Sequence, residues 1–126
     1  MDYLFVYGTL MMKYPFNPHK RLLDKHCVEI NEATCLGSLY TLGQYPALIL
    51  GNEIIHGEIL TLRDVEPLFT ILDDYEGYYP EKKDSSFYIR QRHNCVITSD
   101  KTFNCWTYIY NRPTTHLKRL ESGKFY

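Results

Sequence analysis

Runs of strand-like sequence, cut short by turn residues, fill most of this chain, and one clear helical segment interrupts them. In residues 64–76 apolar side chains recur at helical spacing. Pro67 falls in the first turn, where its missing N–H costs no hydrogen bond. Asp64 is the expected N-cap and Gly77 the expected residue just past the end. Residues 3–7 read as a buried first strand ended by Gly8, and a loop with Pro15 and Pro18 follows. Residues 19–26 have room for about two helical turns carrying Leu22 and Leu23 inward. Residues 28–42 alternate loosely, with Gly37 marking a bulge or a close backbone approach. Gly43-Gln44-Tyr45-Pro46 reads as a turn, residues 47–50 as strand, Gly51-Asn52-Glu53 as a second turn and residues 54–62 as strand again. Beyond a loop over 78–86, residues 87–98 and 103–110 form two long strands joined through Ser99-Asp100-Lys101. Six or so strands with two helices that do not alternate with them exclude a doubly wound parallel sheet. They predict an α+β domain with a strongly curved or closed sheet. A length of 126 residues fits a single domain spanning 1–126.

Charge narrows the function classes. With 14 basic and 15 acidic residues, the chain lacks the basic excess of a nucleic-acid binder. The short runs His19-Lys20-Arg21 and 90–93 read as solvated faces. No apolar run approaches the ~18 residues of a membrane span. Leu4-Phe5-Val6 is too brief for the apolar core of an export signal. These readings predict a cytoplasmic protein with no nucleic-acid or membrane partner; oligomeric state is not legible. Cys27, Cys35, Cys95 and Cys105 form no C-x-x-C pair and share no regular spacing with His26, His56 or His93. They are expected as reduced thiols on strand faces, not as a disulfide frame or a zinc site.

Glu76 carries the strongest chemical signal. At about 100° per residue, Val65, Phe69, Leu72 and Glu76 fall on one stripe roughly 60° wide, with Leu68 beside it. Asp73 and Asp74 are expected further round, towards water. A carboxylate on an apolar face in the last helical turn gains nothing from the helix dipole. Burial, the charges of Asp73 and Asp74, and the partial negative charge of the helix C-terminus all push its pKa upward. That moves it towards the range of an effective proton shuttle. The alternative is a frayed helix end with Glu76 in solvent. A second signal is Tyr7-Gly8-Thr9-Leu10, where the backbone leaves the first strand and several N–H groups lose their ladder partners. Such a turn can hold an anion, although a glycine after a strand is most often an ordinary turn.

Together these segments resemble the gamma-glutamylcyclotransferase-like family. The resemblance is carried by Phe5-Val6-Tyr7-Gly8-Thr9-Leu10, Gly37-Ser38-Leu39-Tyr40, Gly43-Gln44-Tyr45-Pro46-Ala47-Leu48 and Gly57-Glu58-Ile59-Leu60. Leu72-Asp73-Asp74-Tyr75-Glu76-Gly77, Tyr88-Ile89-Arg90 and Trp106-Thr107-Tyr108-Ile109-Tyr110 complete it. The resemblance implies a small mixed β-barrel with flanking helices, a pocket at the barrel mouth, and no metal or organic cofactor. It also implies a small-molecule substrate carrying a γ-glutamyl group, cyclised to 5-oxoproline with release of a free amine. Glu76 would be the general acid and base. The N–H groups of Tyr7, Gly8, Thr9 and Leu10 would hold the substrate carboxylate, and Tyr110 would line the pocket, with Tyr45 and Tyr88 as weaker candidates and core packing the alternative for each tyrosine. Arg90 would either brace a carboxylate, Glu76 or Glu58, or lie exposed on its strand. Met11-Met12-Lys13 and the Lys124-Phe125-Tyr126 tail depart from the family pattern, so the leaving amine stays open. A non-catalytic binding module for a small carboxylate or amino-acid-like ligand is the competing reading.

Overall fold

The computed structural model describes residues 1–98 and 101–126, so the expected connection at Ser99-Asp100 lies outside the described residues. Its elements are β1 (Asp2–Val6), α1 (Lys20–His26), β2 (Cys27–Thr41), β3 (Pro46–Leu62), α2 (Val65–Glu76), β4 (Tyr88–Thr98), β5 (Lys101–Tyr110) and β6 (Lys118–Arg119). A kinked 3-10 segment, Pro80–Ser85, lies between α2 and β4. The strands pair in the order β3-β1-β5-β4-β2-β6, and β3 also pairs with β2, which turns the sheet into a ring. Every pairing is antiparallel except β1 with β5.

The ring approximates the expected barrel without being uniformly closed. β2 and β3 run together along most of their length, whereas among the described residues the β2–β4 seam has the pairs Thr34–Val96 and Cys35–Cys95 and the β1–β5 pairing is as short. Among the described residues the architecture is thus α+β, a mixed six-stranded sheet with two helices. One boundary differs from the sequence reading. Gly51-Asn52-Glu53 is not a turn between two strands, because β3 runs through it. The pairing slips there from Gly37–Glu53 to Ser38–Ile49, leaving three β3 residues as an irregularity beside Gly37. Gly51 fits because any Cβ on it would stand 2.5 Å from the Ser38 hydroxyl oxygen and 2.8 Å from the Gly37 carbonyl carbon.

Alternation along the strands builds two apolar clusters. Phe5, Tyr7, Leu39, Leu48, Ile55, Ile59 and Ile109 pack with three buried thiols, Cys35, Cys95 and Cys105. Leu4, Val6, Leu60, Leu62, Tyr108 and Tyr110 point the other way. They meet Leu23 of α1 and Leu68, Phe69 and Leu72 of α2. β1 is therefore covered on both faces, which is why Leu4-Phe5-Val6 is continuously apolar. No helix among the described residues is long and apolar enough to cross a membrane.

Candidate active site

Two local devices set the site. The first is the end of α2. Gly77 adopts the left-handed conformation (φ 67°, ψ 37°) that stops the helix at Glu76. The Tyr78 N–H then donates to the Asp73 carbonyl at 2.8 Å, fixing the last turn. The second is the loop after β1. Gly8 passes so close to Pro46 that a Cβ would stand 2.2 Å from the ring, so only glycine fits. Its constraint is the close approach, since Gly8 is not among the residues with positive φ. The Met11 N–H closes the turn on the Gly8 carbonyl at 3.0 Å. Asn17 then clamps the carbonyls of Leu10 and Met11 through its amide (3.0 and 3.1 Å). The buried Glu58 carboxylate receives the N–H groups of Met12 (2.6 Å) and Lys13 (3.2 Å). The N–H groups of Thr9 and Leu10 have no backbone partner among the described residues.

Between these devices lies a cavity of about 430 Å³. Tyr7, Gly8, Thr9, Leu10, Glu76 and Tyr110 all line it, so the residues singled out from the sequence are gathered in one place. Tyr45 and Tyr88 line it as well, with Pro46, the first residue of β3 after the turn from β2. The Tyr88 hydroxyl donates to the Pro46 carbonyl at 2.6 Å, pinning that turn to β4. Tyr75 and Tyr108 were missed by the sequence reading. Tyr75 shares a hydrogen bond with the Thr9 hydroxyl (3.2 Å), and the Tyr7 hydroxyl donates to the Tyr108 carbonyl. Tyr75 sits inside the same segment as Glu76, so its place in the motif was the available signal. Trp106, on the same face of β5 as Tyr108 and Tyr110, packs instead against Phe69 and Arg90.

Glu76 is half-buried and lines the cavity. Burial, and secondarily the negative charge of Asp73, push its pKa from an ordinary 4.5 up to about 8. The phenols of Tyr7, Tyr88 and Tyr108 are pushed upward mainly by burial, so they stay protonated and able to donate. Asp73 itself does not turn to water as expected. Its carboxylate is held by Arg90 through Nε (2.8 Å) and Nη2 (3.1 Å) and by the Tyr108 hydroxyl (2.7 Å). Arg90 accordingly braces Asp73, not Glu76 or Glu58. Asp74 is exposed, as expected. Among the described residues no group of three or more His, Cys, Asp or Glu side chains is arranged to hold a metal.

A ring-shaped mixed sheet, flanked by two helices and opening on a pocket lined by the carboxyl groups of Glu76 and Asp74, defines a small α+β protein built around a cavity. Residues 4–126 match the family model described as "Gamma-glutamyl cyclotransferase, AIG2-like", and the chain belongs to that family. It is 31% identical over 128 residues to the gamma-L-glutamyl-butirosin B gamma-glutamyl cyclotransferase of Niallia circulans, covering 100% of this chain and 78% of that protein. It is 30% identical to the gamma-glutamylcyclotransferase family protein YtfP of Escherichia coli K12, covering 95% of this chain and 92% of the other. The crystal structure of YkqA from Bacillus subtilis superposes with a TM-score of 0.67 at 25% identity. The match takes in 98% of this chain but only 39% of YkqA, a much longer protein.

Proposed function

We infer that the protein cyclises the γ-glutamyl group of a small amine or amino-acid derivative, releasing 5-oxoproline and the free amine. The observation that carries this reading is Glu76, a carboxyl group with a pKa near 8 in the same cavity as the loop over residues 7–10. The substrate's α-ammonium enters beside Glu76, and its positive charge favours the carboxylate form. Glu76 takes a proton from that ammonium. The freed nitrogen attacks the side-chain amide carbonyl; the new C–N bond closes the five-membered ring and the old C–N bond breaks. Glu76 returns its proton to the departing amine, and the ring nitrogen gives up its second proton, which the released amine takes up as an ammonium ion, leaving the enzyme unchanged. Because both reacting groups belong to one molecule, the chief demand on the protein is to hold the glutamyl chain folded. The N–H groups of the loop bind the α-carboxylate, and Tyr110 packs against the chain. The reaction as written needs no cofactor. A cytoplasmic setting, where thiols stay reduced, suits the four free cysteines.

The test is release of 5-oxoproline from a panel of γ-glutamyl amines and γ-glutamyl amino acids. Glu76→Gln is expected to lower kcat by on the order of 10²- to 10⁴-fold. In the wild type, kcat/KM is expected to rise with pH towards about 8, as the base form of Glu76 fills. Equal release by the mutant would remove Glu76 from the mechanism. Binding of panel members without any release would favour a binding module instead.

A further inference from the structure

The group nearest in chemistry to Glu76, yet unused by the reaction above, is the cluster of Asp73, Arg90 and Tyr108. Asp73 lies three residues before Glu76 on α2, where side chains at this spacing are neighbours. Its carbonyl receives the Tyr78 N–H that ends the helix, and its carboxylate reaches away to the sheet. Arg90 on β4 and Tyr108 on β5 are direct partners in the strand register, so one cross-strand pair supplies all three donors to Asp73. The guanidinium lies 4.2 Å from the Phe69 ring centroid and 4.6 Å from that of Trp106, with Tyr78 at 5.9 Å. Side-chain exposures of 17% for Arg90 and 14% for Asp73 take this pair out of the class of screened surface bridges. Tyr108 also lines the cavity and accepts the Tyr7 hydroxyl on its carbonyl, so the cluster reaches the loop side of the site.

We propose that Asp73 and Arg90 are positioning residues for Glu76, a balanced ion pair that fixes the last turn of α2 and sets the charge the catalytic carboxyl faces. The proposal rests on the reading of Glu76 as the proton shuttle. The charge of Asp73 disfavours the Glu76 carboxylate; by Coulomb's law the guanidinium bound to Asp73 at 2.8 Å must act in the opposite sense. The two partners therefore act on Glu76 with opposite sign, although they hold each other in place. The other groups around Glu76 are Asp74 and Tyr75 on α2, Tyr7 and Thr9 from β1 and its loop, and Tyr45 from the turn. Tyr79 before the 3-10 segment, Tyr88 on β4 and Tyr108 and Tyr110 on β5 complete the titratable lining of the cavity. His19, at the start of α1, packs edge-on against Tyr75, with ring centroids 4.6 Å apart.

The decisive measurement is the protonation midpoint of Glu76 by carboxyl-carbon NMR, which requires no substrate. Asp73→Asn, which keeps the shape, should lower the midpoint, and Arg90→Gln should raise it, each by on the order of tenfold in proton affinity. Arg90→Lys, retaining charge without the fork or the stacking, should leave the midpoint nearer wild type than Arg90→Gln. If the pair were only a brace, losing either half would loosen the site and move the midpoint the same way, towards the ordinary value. Midpoints that shift together, or do not shift, overturn the proposal. Should Arg90→Gln fail to fold, Asp73→Asn and Arg90→Lys still decide it. A fall of the midpoint in Asp73→Asn with Arg90→Lys close to wild type supports it, and an unchanged Asp73→Asn overturns it. In an active enzyme, the pH profile of kcat/KM should move with the midpoint. If no γ-glutamyl compound is turned over while the midpoints move oppositely, the functional reading fails, and what stands is the opposed action of Asp73 and Arg90 on the Glu76 carboxyl.

Discussion

At the level of single residues, the unusual carboxyl of Glu76 has a cost that can be measured without any substrate. An acid with a pKa raised in the folded state binds its proton more tightly there than in the unfolded chain. Between the ordinary value of 4.5 and the folded value of about 8, the folded state therefore holds more protons, and stability falls as pH rises. Below that window both states are protonated and the cost vanishes; above it both are ionised and the cost is complete. Glu76→Gln removes the charge while keeping the shape. It is expected to stabilise the protein by on the order of 1–3 kcal/mol at pH 9 and by little at pH 4, read from urea midpoints. A mutant whose advantage does not change with pH would show that Glu76 ionises as freely in the fold as in the unfolded chain. Glu76 was legible in the sequence because periodicity and a C-terminal glycine are local signals. The pairing of Asp73 was not, because its partners Arg90 and Tyr108 stand 17 and 35 residues away. Helical periodicity alone turns Asp73 off the apolar stripe, and only the strand register of β4 and β5 shows what it meets.

At the level of elements, the end of α2 determines whether Glu76 reaches the cavity. Gly77→Ala would hold an alanine at φ 67° and bring its Cβ to 3.0 Å from the Phe87 ring. The backbone strain alone is about 1–2 kcal/mol. The expected result is a loss of that size in chemical denaturation, together with a fall in kcat as the last turn shifts. An unchanged kcat at reduced stability would separate the helix end from the chemistry. This helix was read nearly to the residue because its stop signals lie within it. Its start followed a different rule: Asp64 occupies the N-cap at φ 52° but makes no side-chain capping bond. The strands were less legible. Gly51-Asn52-Glu53 has the composition of a turn, and only the pairing partner shows that it is an irregularity within β3. β6 is two residues long and is defined by its pairing with Tyr40 and Thr41, which no local pattern encodes.

At the level of the whole molecule, the ring is strong where strands are buried on both faces and weak where two of them barely meet. β1 lies between β3 and β5, and its side chains enter both apolar clusters in turn. Opening it exposes both clusters at once, so its amides should exchange only through global unfolding. Among the described residues the β2–β4 seam and the β1–β5 pairing each have two register pairs, but β1 has five more with β3 and is covered on both faces. β6 lies at the end of the pairing order with two exposed residues. Native-state hydrogen exchange should therefore rank β1 and the adjoining middle of β5 slowest, the seam residues Thr34, Cys35, Cys95 and Val96 faster, and β6 fastest. The seam is not expected to open easily in spite of its shortness, since Cys35 and Cys95 are 3% and 0% exposed and lie in the cluster that fills one face of the ring. Its opening free energy should fall between that of β6 and the global value. Seam amides as slow as those of β1 would mean that the ring closes as one cooperative unit. Seam amides as fast as β6 would mean an open sheet whose cavity wall, hung from β1, β4 and β5, is held together mainly by the tyrosine contacts at its mouth.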